Sequence, residues 1–175
     1  MRGGHNTEII TKEKYNSFIC DNKKEITDQI DKTGSAYIFG KCGVGKTHFL
    51  YYGANKFNES GKHIYIELFA DSVRKVKQEF NNNSKMMIGA MATTEILFID
   101  DLGNEYATEY TVSEILQPII DYRYVNELPT IITSNYTIDD LFKVYEKVAG
   151  GQKAAQIITR IKTLGAIEMK GKSWR

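Results

Sequence analysis

Gly40 and Gly45 frame four residues and are followed at once by a lysine and a hydroxyl, so that residues 40–48 read GKCGVGKTH. This is the spacing G-x-x-x-x-G-K-[ST], and each position has a chemical reason. Gly40, Gly43 and Gly45 let the backbone turn tightly enough for successive N–H groups to surround phosphate oxygens, with Lys41, Cys42 and Val44 contributing backbone between them. Lys46 reaches β- and γ-phosphates as a compact charge, Thr47 offers a hydroxyl to Mg²⁺, and the helix that opens through His48 aims its positive end at the anion. A phosphate-binding loop (P-loop) of this kind takes a nucleoside triphosphate such as ATP with Mg²⁺ as its counter-ion. The alternative is a glycine-rich turn that matches by accident.

A second constellation is ILFIDDLG at 96–103, four strand-forming apolar residues ending in two carboxylates. A buried parallel strand would deliver Asp100 beside the P-loop, where it can hold Mg²⁺ directly or through water. Asp101 is then placed to polarise the water that attacks the γ-phosphate. The competing reading is that the pair caps the next turn. A third strand, PTIITSN at 129–135, ends in Asn135, whose amide can bridge the γ-phosphate and the attacking water, although an asparagine closing a strand is often only a turn residue.

These three strand ends need elements to hold them. Ala36–Phe39 has the length and composition of a buried strand, and His48–Phe57 continues the P-loop as a helix through Leu50, Ala54 and Phe57. A short helix is expected over Glu25–Asp31 through Ile26 and Ile30, and a second strand over His63–Leu68. A helix follows over Asp71–Phe80 with Val73, Val76 and Phe80 on one face, and Asn81–Ser84 is read as its break. The cluster Met86–Met91 reads as core or interface packing, and Phe18 with Ile19 as an edge contact. Thr111–Val125 predicts a helix with Ile115, Leu116, Ile119 and Ile120 inward, kinked or broken at Pro118. A short helix over Thr137–Tyr145 and a joint at Gly150-Gly151 come next. They lead into a helix over Lys153–Leu164, with Ala155, Ile158 and Ile161 buried, and a terminal strand over Ala166–Met169.

With 175 residues, 42% hydrophobic and 26% charged, the chain suits one globular domain and leaves no room for a second of full size. No apolar run approaches the roughly 18 residues of a membrane span, and MRGGHNTEII lacks the apolar core of a signal peptide, so a cytoplasmic protein without a membrane partner is expected. Cys20 and Cys42 are too few and too far apart for a disulfide framework or a zinc site. Net charge is +1, but it is unevenly spread: Glu95–Asp121 holds seven acidic residues and no Lys or Arg. The segment from Lys153 to Arg175 is basic, which reads either as a solvated face or as a phosphate-contacting one.

GKCGVGKT, ILFIDDLG, ILQPIIDYRYVNELPTIITSN and KAAQIITRIKTLGAIEMKGKSWR, in this order and spacing, resemble the AAA+ domain of the DnaI/DnaC helicase loaders, nearest to the DnaI branch. The resemblance runs from about Gly34 onward, with residues 1–33 read as an N-terminal extension carrying a short helix. It implies an α/β P-loop NTPase core with a five-stranded parallel sheet of order 5-1-4-3-2 flanked by helices, from which the chain departs in having no C-terminal lid domain. It also implies ATP and Mg²⁺ as cofactors, and a replicative DNA helicase, single-stranded DNA and further copies of the chain as partners in replication initiation. On the resemblance Lys46 and Thr47 are Walker A, Asp100 and Asp101 Walker B, and Asn135 sensor 1. Arg160 in ITRIK falls where the family places its arginine finger, and Arg123 lies in a segment similar to its subunit-contact region. The sequence shows no N-terminal helicase-contacting module, so it is read as either a fragment or a shortened relative, and it has an Asp-Asp pair where many AAA+ motors have Asp-Glu. A weak ATPase acting as a switch is therefore expected. An IstB-type transposition-targeting ATPase is the runner-up and a small-molecule P-loop kinase a distant third.

Overall fold

The computed structural model describes Tyr15, residues 17–79 and residues 82–172. Expectations that fall on Met1–Lys14, Phe80, Asn81 and Arg175 lie outside them. The elements run α1 (Lys23–Thr33), β1 (Ala36–Phe39), α2 (Lys46–Glu59), β2 (Ile64–Leu68), α3 (Phe69–Gln78), α4 (Asn82–Thr93) and β3 (Ile96–Leu102). A wide-turned helical segment (Thr111–Leu116) then leads into α5 (Gln117–Val125), followed by β4 (Thr130–Ser134), α6 (Ile138–Ala149), α7 (Gly151–Lys162) and β5 (Ala166–Glu168).

All strand pairs are parallel, and the sheet runs β2-β3-β4-β1-β5, which is the order 5-1-4-3-2 read from the other edge. A parallel sheet of this kind must be covered on both faces, which is why its strands read as nearly continuous apolar runs. Alternation along β3 shows the two layers directly. Leu97 and Ile99 face a core with Phe69, Met91, Ile115, Ile119, Tyr145 and Ile157. Ile96 and Phe98 face one with Ile26, Ile30, Phe49, Leu50 and Ala54, so α1 and α2 cover the second face.

Several elements differ from the sequence expectation for identifiable reasons. The asparagine run does not end in a loop: α4 begins at Asn82, and the methionine cluster rides on it with Met91 buried and Met86 at 70% exposure. Pro118 causes no break. The turns before it widen, with the Gln117 N–H donating to the Val112 carbonyl, and the proline sits in the first turn of α5, where a missing N–H costs nothing. On α7 the buried stripe is Ala154, Ile157, Ile158 and Ile161, one position off the expected Ala155, which is exposed. Phe18 is buried as expected, whereas its neighbour Ile19 is 73% exposed.

Candidate functional site

The P-loop leaves the carboxyl end of β1 and enters α2 through Gly45, whose φ of 99° is left-handed and favours glycine. At Gly40 a side chain would meet the Met169 carbonyl oxygen at 2.8 Å, so the loop lies flush against the strand end beside it. Lys46 is only 7% exposed and folds back into the loop, donating from Nζ to the carbonyls of Gly40 at 2.7 Å and Lys41 at 2.9 Å. Burial pushes its ammonium below the ordinary lysine value, partly offset by Asp101. These two carbonyls hold the charge where a β/γ-phosphate would otherwise draw it. Val44 turns its side chain into the core, so its part in the loop is backbone alone.

The carboxylates are delivered by a bulge. Between the pairs Ile99–Ile132 and Leu102–Ser134, β3 advances three residues while β4 advances two. The extra residue bends the strand and re-aims its side chains. Asp100 is 5% exposed, accepts a hydrogen bond from the Thr133 hydroxyl and lies beside the Thr47 hydroxyl. Burial raises its carboxyl above the ordinary range, while both hydroxyls pull it back. Asp101 adopts φ 61° and donates its N–H to Thr133 Oγ1 at 3.1 Å. Its two carboxylate oxygens accept from Asn135 Nδ2 at 2.9 Å and Asn104 Nδ2 at 2.6 Å. Asp101 and Asn135 are thus brought together.

The hydroxyl of Thr47 and the buried carboxylate of Asp100 are hard oxygen donors at the same cavity. That is a donor set that suits Mg²⁺, which takes one or two protein oxygens and completes its shell with phosphate and water. Among the described residues no group of three or more His, Cys, Asp or Glu side chains could hold a metal by itself.

A cavity of about 600 Å³ opens over the loop, lined by Cys42, Gly43, Gly45–His48, Asp100, Asp101 and Asn135 on one side and Ser17–Ile19 on the other. The second wall was not legible in the sequence. It is fixed by His48, whose Nε2 donates to the Ser17 carbonyl at 2.8 Å, and by Phe18 packing edge-on against Phe49. Thr133 was missed as well, and its only signal was a polar pair, Thr133-Ser134, inside a buried apolar run. Cys42 is exposed at the cavity, and both cysteines are free.

Arg160 is not part of this cavity. It lies in the last turn of α7, paired with Asp121 and stacked 5.8 Å from the Tyr124 ring. It lines a groove with Thr33, Ser35 and Thr130, which precede or open the strands at the end of the sheet opposite the P-loop. Arg123 borders the same groove but is 2% exposed. Its guanidinium donates to Thr130 Oγ1 and to the carbonyls of Met91, Ala92, Thr94 and Pro129, and burial pushes it down to about 10. Its neighbours Tyr122 and Tyr124, not Arg123 itself, present the exposed surface of that segment.

A family model described as IstB-like ATP binding protein matches residues 25–175. The chain belongs to this family. As a member it is an ATP-binding AAA+ domain, and its curated relatives include the replicative helicase loader DnaI of Bacillus subtilis, 29% identical over 154 residues. That match covers 85% of this chain and 50% of DnaI. The replicative helicase loader DnaC of Escherichia coli is 25% identical over 125 residues, covering 69% of this chain and 51% of DnaC. The chain therefore spans about half the length of these relatives. Among solved structures, the crystal structure of DnaI superimposes with a TM-score of 0.76 at 26% identity, over 96% of this chain and 93% of that one. No described helix of this family member is long and apolar enough to cross a membrane.

Proposed function

We propose that this IstB-like domain is the ATP-dependent switch of a replicative helicase loader, which helps deliver a DNA helicase onto single-stranded DNA during replication initiation in the cytoplasm. The observation that carries the reading is a single cavity lined by Lys46, Thr47, Asp100, Asp101 and Asn135, in a chain that resembles DnaI over 96% of its own length. ATP binds with its phosphates over Gly40–Thr47 and its base toward Ser17–Ile19. Thr47 and Asp100 would hold Mg²⁺, which would supply charge neutralisation at the phosphates. Asp101 orients the attacking water and Asn135 bridges that water and the γ-phosphate. Hydrolysis is slow in one subunit, because Arg160 is offered to the nucleotide of a neighbouring copy in an ATP-dependent oligomer.

A second reading, a transposition-targeting ATPase, is compatible with the IstB-like family but gains nothing over the first from it. Co-purification separates the two. The tagged chain with Mg·ATP should retain the host's replicative helicase, and retention of a transposase instead would establish the second. A small-molecule kinase draws no support from the family.

A further inference from the structure

Beyond the Asp101–Asn135 pair lies a buried carboxylate that the nucleotide chemistry does not use. Glu105 is 5% exposed and is in no ion pair among the described residues. Its Oε2 accepts from the Gly103 N–H at 2.7 Å, and its Oε1 accepts from the Tyr145 hydroxyl at 2.9 Å. Tyr145 is fully buried on α6. An isolated buried carboxylate is costly, and an apolar pair of the same shape would serve packing as well or better. What Glu105 provides that such a pair could not is a directional link between two elements.

The elements are the turn after β3 and the helix α6. The turn is closed by the Asn104 N–H on the Asp101 carbonyl at 3.2 Å and by the Asn104 side chain on the Asp101 carboxylate at 2.6 Å. Any movement of the Asp101 side chain is therefore felt at Asn104 and Gly103. Gly103 has φ 96°, and a side chain there would meet the Tyr136 ring at 2.7 Å and Leu141 Cδ1 at 2.9 Å. Leu141 and Tyr145 lie one turn apart on α6. The helix thus touches the turn twice, through Leu141 beneath Gly103 and through Tyr145 on Glu105. Past Gly150 alone, α7 begins, and its Ala154, Ile157, Ile158 and Ile161 share a core with Tyr145. Arg160 is on that helix.

We infer that Glu105 and Tyr145 are positioning residues that couple the γ-phosphate side of the nucleotide site to the α6–α7 helix pair bearing Arg160. The inference rests on the nucleotide-binding reading above. When the γ-phosphate draws Asn135 and Asp101 into a new arrangement, the turn shifts, and the Glu105–Tyr145 hydrogen bond carries that shift into α6. Arg160 is then presented differently in the ATP and ADP states, without contacting the nucleotide of its own chain.

The test is amide hydrogen exchange, read by mass spectrometry, of the full chain with Mg·ATPγS and with Mg·ADP. In the wild type both nucleotides should protect residues 40–50, and the two should differ in exchange across α6 and α7. Tyr145→Phe keeps the ring and removes only the hydroxyl, and Glu105→Ala removes both acceptors. Each should retain protection at 40–50 and lose the difference across α6 and α7. Glu105→Gln, whose oxygen can accept from Gly103 while its NH₂ donates to the Tyr145 oxygen, should restore it. A purely structural role would lower the melting temperature of the variants but leave the ATPγS–ADP difference in place. Absence of that difference in the wild type, or its persistence in Tyr145→Phe, would overturn the inference while the nucleotide site stands. Absence of any protection at 40–50 would instead remove the nucleotide reading. If Glu105→Ala does not fold, Tyr145→Phe alone decides.

Discussion

Lys46 makes two hydrogen bonds to carbonyls of its own loop, Gly40 and Lys41, and nucleotide must draw it away from both. The type and spacing of the P-loop residues placed the lysine at the loop but did not reveal this internal tether, which depends on the curvature of the loop. Asp100, Asp101 and Asn135 were legible for the same reason: each closes an apolar run of strand length. Thr133, which meets the Asp101 N–H and the Asp100 carboxylate from 32 and 33 residues away, was hidden because the contact depends on the register and bulge of β3 against β4. Glu105 carries a pH prediction. Burial holds its carboxyl above the ordinary glutamate value of about 4.3. Just above that value the folded chain keeps a proton that the unfolded chain has released. Stability contributed by this group is therefore complete below the unfolded value and falls as pH rises through the folded one. Asp100 shifts in the same direction. Glu105→Gln removes the charge while keeping the contacts, so it should raise the melting temperature more at about pH 8 than near pH 4. A thermal melt at the two pH values checks it, and an equal effect at both would contradict the assignment.

At the scale of elements, α5 is organised by one buried side chain. Arg123 ties the end of α4 to the start of β4 through the carbonyls of Met91, Ala92, Thr94 and Pro129 and the Thr130 hydroxyl. Arg123→Ala would leave these acceptors unpaired, each costing about 1–3 kcal/mol if water cannot reach it. A loss of roughly 3 kcal/mol, lowering the melting temperature by about 6–12 °C for a chain of this size, is expected in calorimetry. A shift within a degree of wild type would mean that the arginine is expendable to the fold. None of this was visible in DYRY, since the acceptors belong to helix ends that only the packing brings near. Order and direction of the strands were legible through the resemblance, and their positions through apolar runs bounded by turn residues. α4 was not, because Asn81–Ser84 reads locally as a breaker and only burial of Met91 against the sheet overrides it. On α7, Arg160 is already paired with Asp121 and stacked on Tyr124, so it must be released before it can serve another subunit. Arg160→Ala should leave ATP binding by the monomer unchanged and abolish turnover stimulated by assembly, where an arginine finger is worth about 10³–10⁵ in rate. Loss of monomer binding in Arg160→Ala would mean that it acts within its own chain.

For the molecule as a whole, near-neutral charge means that one subunit should bind single-stranded DNA weakly, with affinity rising on ATP-driven assembly and falling steeply with salt. Helix α3 carries three basic side chains, Arg74, Lys75 and Lys77. Arg74 pairs with Asp71, and Lys75 with the 7% exposed Glu67 at 2.7 Å, whereas Lys77 is in no ion pair among the described residues. Lys77→Glu should therefore weaken anisotropy-detected binding of a labelled oligonucleotide equally for all sequences. Lys75→Glu would also destabilise the fold by setting two carboxylates together. Binding that ignores salt and ATP would contradict a strand-holding role. The switch reading depends on the cavity over Gly40–Thr47 being a nucleotide site, and isothermal titration calorimetry of Mg·ATP into wild type and Lys46→Ala tests that most directly. A charge-assisted contact is worth about 1.5–3 kcal/mol, so Lys46→Ala should bind roughly ten- to a hundredfold more weakly than a wild type that binds with one site per chain. Equal affinity in the two proteins, or no heat of binding in either, would contradict the account.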